Sequence, residues 1–290
     1  MITENFRFVI ALDCEALPII EFYNLDVYKE TDGIFKCYKN STNTIWLIIS
    51  GIGNINSAAA TIYLKKVSLS NKNSIWINLG TGGHYNLKPG NIYHIKAVTP
   101  SNNLNDVLYS NAVINNIIKN YEVYNVTNEE RQFNFKDKIY EMEAYGFLKT
   151  TEKFTFRELT CVLKVISDNS EYKPKDFNKF AANIINSNLY LVDKLLRKFL
   201  TLSNKIEKPN DKLASEVFKK FQLSFSNKVK VSKLINKVEY ILGEEKLRQI
   251  LFTQNKQEDL IKELENVIKT YSLNLKHEKD HLHRKKHRKF

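Results

Sequence analysis

No run of this chain approaches the ~18 consecutive apolar residues that a membrane-spanning helix needs. Yet 43% of its 290 residues are hydrophobic. Those residues are therefore available for a core, and the length allows one sizeable core with a smaller second unit. Cysteine is nearly absent. Cys14, Cys37 and Cys161 are scattered, with neither a disulfide framework nor a metal-ligand spacing. That argues against a small disulfide-stapled scaffold and fits a reducing cytoplasm. The opening Met1–Asn5 carries no basic residue and no long apolar segment follows, so no secretory signal is expected. There is no internal repeat.

What is abundant is positive charge, and it is uneven. The formal net charge is +12. Residues 201–290 hold 21 Lys and Arg against 12 Asp and Glu, whereas residues 1–200 hold 23 against 20. Five of the positive charges fall in the last ten residues. The first two thirds therefore have an ordinary, nearly balanced surface. The basic excess belongs to the last third and leaves a nucleic-acid or protein partner open for it.

In chain order, Phe6–Leu12 is a short apolar run of strand type and ends at Asp13-Cys14-Glu15. A helix is expected over Ala16–Tyr23. Strands are expected over Gly33–Tyr38 and Thr44–Ile49, the second apolar almost throughout, as in a strand covered on both faces. Ser50-Gly51-Ile52-Gly53 follows, then helical periodicity from Asn56 to Leu69. Strand, glycine turn and helix in that order spell a βαβ unit. Ser74–Leu79 reads as another buried strand, opening into Gly80-Thr81-Gly82-Gly83-His84, where three glycines permit a turn or a close approach. Asn91–Val98 reads as a strand, Val107–Asn120 as a helix and Tyr121–Thr127 as a strand. Lys138–Lys149 reads as a helix carrying Glu141 and Glu143, whose i, i+2 spacing would prevent both from facing one pocket. Thr160–Ser167 is the last strand and Asp176–Leu200 a long closing helix.

After Leu200 the grammar changes. Asn204–Asp211 is a polar linker containing Pro209. Helical patterns follow at Lys212–Phe221, Val229–Leu242, Glu244–Thr253 and Gln257–Tyr271, with no convincing strand. The tail from Lys276 is highly charged and expected to be disordered. Its His277, His281, His283 and His287 fit a solvated basic tail better than a metal site. The expected organisation is an α/β domain over 1–200, a mixed twisted sheet covered by helices, then an all-helical appendage over 201–275 and the tail over 276–290.

In an open α/β sheet, ligands bind beyond the carboxyl ends of the strands. Asp13–Glu15, Ser50–Gly53, Gly80–His84 and Ser167-Asp168 all fall there. The sequence thus gathers polar and glycine residues at one edge, and Glu15, Glu143 and Asp168 are expected to meet in one pocket. Like charges resist joint ionisation, so such a cluster is usually tolerated only where chemistry needs it.

The motifs "ALDCEAL", "SGIGNINSAAAT", "INLGTGGHYNLKPGNIY", "YEMEAYG" and "VISD", in that order, resemble the nucleoside phosphorylase and nucleosidase superfamily. The resemblance is strongest to the methylthioadenosine/S-adenosylhomocysteine nucleosidases and covers roughly residues 6–200. It implies hydrolysis of the N-ribosyl bond of a purine nucleoside, adenosine-like and open at its 5′ group. Glu15 would activate water and Asp168 would protonate the leaving base. Glu143 would hold the ribose hydroxyls, with Met142 packed on the sugar. Ile52, Gly53, Thr81, Gly82 and Ser167 would line the substrate. It implies no cofactor and no metal, and a homo-oligomer, a dimer or higher.

The chain also departs from the family. Where nucleosidases commonly keep an Arg four residues before the catalytic Asp, this chain has Lys164, a point charge that cannot make a bidentate contact. The segment Val126–Lys138, where relatives place an aromatic residue against the base, is short and offers only Phe133 and Phe135. Two other functions compete with the nucleosidase. A phosphorylase on the same fold must cradle a dianion, and the Arg-free, doubly acidic Leu12–Glu15 loop speaks against it. A nucleoside-binding or scaffold protein would instead use the basic last third to engage a partner.

Overall fold

The central strands alternate large apolar side chains to opposite faces, and both faces are buried. Phe6, Phe8 and Ile10 point to one side and Val9 to the other; Ile45 and Leu47 oppose Trp46 and Ile48; Ile75 and Ile77 oppose Trp76. A strand reads as a continuous apolar run when both of its faces are covered. The structure, a computed structural model, describes residues 5–29, 33–111, 117–129, 133–205 and 211–270. The chain divides into two units, Met1–Ile206 and Glu207–Phe290.

The strands of the first unit are β1 (Phe6–Ile10), β2 (Asp26–Val27), β3 (Lys36–Lys39), β4 (Ile45–Ile49), β5 (Ile75–His84), β6 (Ile92–Pro100), β7 (Leu108–Tyr109), β8 (Asn120–Asn125), β9 (Ile139–Glu141) and β10 (Thr160–Asn169). They form one mixed sheet in the order β10-β6-β8-β9-β5-β1-β4-β3-β2, with β7 on β6. β10 also pairs in parallel with β5, so β5, β10, β6, β8 and β9 close on one another. β1 lies parallel between β4 and β5. The carboxyl ends of β1, β4, β5 and β10 therefore share one edge.

Helices cover both faces. α1 (Asp13–Phe22) and α4 (Phe177–Lys205) pack on one side, with Ile19, Ile185, Leu189, Leu196 and Phe199 in the core cluster there. α2 (Asn54–Val67) and α3 (Ala144–Thr151) cover the other, where Ala60, Leu64, Phe147 and Leu148 meet Trp46 and Trp76. α2 and α3 come unusually close. A Cβ at Gly146 would lie 2.1 Å from the Asn54 carbonyl oxygen, so only glycine fits.

Three local expectations change. The strand expected to end at Leu79 runs on to His84 as β5, so of the two readings of Gly80–Gly83 the close approach holds and the turn does not: a Cβ on Gly82 would stand 2.8 Å from Ile139 Cγ2 and 2.9 Å from the Tyr140 carbonyl of β9. The helix expected over Val107–Asn120 is absent from the described part of that span, where Leu108–Tyr109 forms β7 and Asn120 opens β8; residues 112–116 lie outside the described residues. The helix expected from Lys138 begins only at Ala144, because Ile139–Glu141 pairs as β9 with β8 and β5.

In the second unit, α5 (Asp211–Lys220), α6 (Phe225–Leu242), α7 (Glu244–Thr253) and the helical residues 257–270 enclose a separate apolar core that includes Leu213, Val217, Val231, Ile235, Leu247, Leu251 and Leu264. The basic tail over 276–290, with its histidines, lies outside the described residues. Among the described residues no helix is long and apolar enough to cross a membrane.

Candidate active site

β1 ends at Ile10, and α1 begins at Asp13, three residues earlier than its periodicity suggests. That shift places Glu15 in the first turn of α1, close enough to reach across to β5. Glu15 Oε1 accepts hydrogen bonds from the Thr81 backbone N–H and from the Thr81 hydroxyl, each at 2.7 Å. Its Oε2 takes only a longer 3.3 Å contact from the Leu12 N–H. The carboxylate is buried and its orientation fixed, while Oε2 keeps acceptor capacity.

Beside it runs a cavity of about 360 Å³. Ala11 and Leu12 line it from the link between β1 and α1, Glu15 from α1, Ile52 from the loop before α2, and Thr81, Gly82 and Gly83 from β5. Glu141, Met142 and Glu143 contribute from the junction of β9 with α3, and Asp168 from the end of β10. Glu129, Val126, Tyr140, Lys173, Pro174 and Phe177 complete the lining. Seven residues singled out in the sequence therefore share one cavity: Glu15, Ile52, Thr81, Gly82, Met142, Glu143 and Asp168. Gly53 and Ser167 do not line it and stand one step behind. The Gly53 N–H donates to Glu143 Oε1 at 3.0 Å. The buried Ser167 hydroxyl donates to Asp168 Oδ1 at 2.5 Å. A register shift in β10 between Ile166 and Asp168 sets Asp168 against Gly83, and bulges of this kind re-aim the side chain that follows.

The expectation that Glu141 and Glu143 cannot share a pocket fails, and the reason is local. Glu141 closes a strand and Glu143 precedes the first turn of α3, so helical angular spacing does not apply between them. Both converge on Lys164. Its Nζ lies 2.8 Å from Glu141 Oε2 and 3.7 Å from Glu143 Oε2. Glu141 Oε2 also accepts the Glu143 and Ala144 N–H groups at 3.0 and 2.8 Å, taking up free donors at the start of α3.

One cation thus serves three buried carboxylates, Glu15, Glu141 and Glu143. Burial works against the Lys164 ammonium, but Glu141, Glu143 and Glu15 outweigh it and hold its pKa above the ordinary lysine value. Burial pushes the Glu143 carboxyl up to about 7; Lys164 and the Gly53 N–H pull against this, while Glu141 and Glu15 add to it. Two like charges near one site cannot both ionise freely.

Of the two aromatics of the Val126–Lys138 segment, neither is among the residues lining the cavity. Phe133 Cε1 and Asp168 Oδ2 approach the same point over Gly83, at 3.2 and 3.0 Å from where its Cβ would lie. Phe135 instead packs on Tyr124, with ring centroids 4.6 Å apart. His84 takes no part in the cavity. Its Nδ1 accepts from the Asn86 and Leu87 N–H groups and its Nε2 meets the Tyr121 hydroxyl, which makes it a structural histidine.

Glu141, Asn125 and Asn54 were not foreseen as site residues. Glu141 was seen but turned outward by the wrong helix assignment. Asn54 falls inside the "SGIGNINSAAAT" motif but was given no role, Asn125 lies in no motif, and only the fold brings the two together.

By sequence, no protein-family model and no curated protein matches the chain. By structure, it is similar to the 5′-methylthioadenosine/S-adenosylhomocysteine nucleosidase of Helicobacter pylori, at 17% identity and a TM-score of 0.57, over 68% of this chain and 99% of that one. The corresponding nucleosidase of Neisseria meningitidis aligns at 16% identity with a TM-score of 0.55, over 67% and 98%. The futalosine hydrolase of Helicobacter pylori aligns at 16% and 0.55, over 68% and 98%. The chain carries the fold of these nucleosidases.

Proposed function

We propose that this chain, built on the nucleosidase fold, hydrolyses the N-ribosyl bond of a purine nucleoside. The observation that carries the reading is the convergence of Glu15, Glu143 and Asp168 on a single cavity at the strand ends. Water attacks the anomeric carbon while Glu15 takes its proton. The bond between sugar and base breaks, and Asp168 supplies a proton to the base nitrogen that receives the electron pair. Free sugar and free base leave. A positioned base and acid of this kind each contribute roughly 10²–10⁴ in rate. The sugar acquires oxocarbenium character on the way. A pocket with more carboxylates than cations favours that developing positive charge.

Glu143 accepts the ribose diol over Met142, and Phe133, beside Asp168, offers a face for the base. The same carboxylates disfavour a phosphate nucleophile, which places hydrolysis ahead of phosphorolysis. The exposed Ile55 and Ile62 of α2 support a homo-oligomer, and the scarcity of cysteine suits a cytoplasmic enzyme.

Incubating the full chain with adenosine and 5′-thio-substituted adenosines, with and without phosphate, tests the reading. Release of adenine without phosphate is expected, with Glu15→Gln and Asp168→Asn each lowering kcat by ~10²–10⁴. Strict dependence on phosphate, or no release from any purine nucleoside, would overturn it.

A further inference from the structure

Behind the cavity, a line of polar contacts, half-buried at Asn54 and buried beyond it, runs from α2 to Lys164. Asn54 Nδ2 donates to Asn125 Oδ1 at 2.6 Å. Asn125 Nδ2 donates to Glu141 Oε1 at 2.7 Å. Glu141 Oε2 receives the Lys164 ammonium at 2.8 Å. Asn54 is anchored in turn, because its Oδ1 accepts the Gly146 N–H at 2.9 Å. Asn125 and Glu141 are almost fully buried. A buried network with every member satisfied holds its rotamers far more firmly than any single contact does.

The geometry leaves Lys164 a choice. Glu141 and Glu143 flank the same ammonium, yet Glu141 holds it 0.9 Å closer, 2.8 against 3.7 Å. Nothing in the two glutamates themselves dictates this preference. The difference lies in their other partners. Glu141 is pinned on Oε1 by Asn125 and on Oε2 by two backbone N–H groups, while Glu143 has the single Gly53 N–H.

We propose that Asn125, backed by Asn54, is a positioning residue that fixes Glu141 as the partner of Lys164 and thereby withholds the ammonium from Glu143. Glu143 then faces the cavity without a tight cation, free to take a proton or a pair of sugar hydroxyls. The inference rests on the nucleosidase reading for its consequence in catalysis, but the electrostatics can be measured without substrate. The charged groups acting on Glu143 are Lys164 from β10, Glu141 from β9 and Glu15 from α1, while Asp168 of β10 lines the same cavity. α2 presents only the Gly53 N–H. An opposite charge brought fully into contact lowers a carboxyl by ~1–3 pH units. If Glu141 is released, Lys164 moves toward Glu143 and the Glu143 titration moves down.

The test is a ¹³C-carboxyl NMR titration of glutamate-labelled protein, with the Glu143 resonance assigned from Glu143→Gln. It is run on the wild type, on Asn125→Ala, on Asn125→Ser and on Glu141→Gln. The Glu143 midpoint is expected to fall by about one unit or more in Asn125→Ala and Glu141→Gln, with partial return in Asn125→Ser, whose hydroxyl can still donate. Should Asn125→Ala fail to fold, Asn54→Ala removes the support from one residue further out and is expected to move the midpoint in the same direction. The acid limb of kcat/KM should follow the NMR midpoint. A lowered Tm with an unmoved Glu143 midpoint would reduce Asn125 to a structural residue and overturn the inference. Variants that shift as expected, in a protein whose wild type cleaves no nucleoside, would overturn the nucleosidase reading alone.

Discussion

Lys164 Nζ lies 2.8 Å from Glu141 Oε2, with both side chains at or below 1% exposure. Taking two charges out of water costs several kcal/mol per ion, and only close pairing with further hydrogen bonds recovers it. Removing one partner is therefore worse than never having had the pair. Lys164→Met would leave Glu15, Glu141 and Glu143 buried without a cation. The expected loss is about 3–5 kcal/mol at neutral pH, read as the shift in urea midpoint at unchanged slope. A loss under 1 kcal/mol would mean that the carboxylates are neutral or hydrated, and that the cluster is not the ion network described.

Two buried groups should tilt stability against pH in opposite directions. Glu143 titrates at about 7 in the fold against an ordinary 4.5. The folded state thus holds the extra proton between those values, and this contribution declines as pH rises from about 4.5 to about 7. His94 is the reverse case. Burial lowers its pKa from 6.5 to about 4, against a smaller upward pull from Asn120. The unfolded state holds the extra proton there, so this contribution is complete above about 6.5 and is lost as pH falls toward about 4. Between 4.5 and 6.5 the two slopes oppose. Glu143→Gln should make stability rise more steeply with pH in that window, and His94→Gln should make it fall. Urea denaturation at half-unit steps of pH checks both signs.

Much of this site was legible because its residues sit where strands end. Glu15, Thr81, Gly82 and Asp168 each follow or terminate an apolar run, and α/β sheets place ligands at such ends, whereas the role of Glu143 came from the family resemblance of "YEMEAYG". The errors came where tertiary pairing overrode local pattern. Ile139–Glu141 has the composition of a helix start, but the free edges of β8 and β5 recruit it as a strand, and that alone turns Glu141 inward. Gly80–Gly83 looks like a turn because it is rich in glycine. Gly82 and Gly83 instead answer to the close approach of β9 and of Asp168 to a continuing strand. The Asn54–Asn125 contact joins residues 71 positions apart, and no local periodicity encodes it.

Gly146 tests the closeness of α2 and α3 directly. A methyl group there would lie 2.1 Å from the Asn54 carbonyl oxygen and 2.9 Å from its Cα, both backbone atoms that no rotamer change can move. Gly146→Ala therefore has to push the two helices apart. The expected cost is at the upper end of the ~1–3 kcal/mol typical of overpacking, despite the better helix propensity of alanine. The same shift would pull Asn54 off the Gly146 N–H and, through Asn125, loosen Glu141. Activity should therefore fall further than Tm alone would explain. A variant as stable and as active as the wild type would show that α2 and α3 stand further apart than described.

The outer face of α2 gives the last expectation. No charged residue occurs from Ile52 to Leu64, and Ile55 is 85% and Ile62 49% exposed on one helical stripe with Ala59 between them. An uncharged stripe that is bulky at both ends and small in the middle suits antiparallel packing on a second copy of itself. Ile55 of one chain would meet Ile62 of the other about a two-fold axis near Ala58 and Ala59. Ile52, at the start of the same stripe, also lines the cavity, so a partner seated here would stand at its mouth. Sedimentation of the wild type should give a dimer, and Ile55→Lys with Ile62→Lys a monomer, since lysine would then face lysine across the two-fold axis, buried and with no compensating charge. Because both side chains point away from the core, the monomer should unfold at a concentration-independent Tm and with the same urea slope. Its KM should rise more than its kcat falls, as the cavity mouth loses a wall. A double lysine variant that stays dimeric would place the contact on another face of the molecule.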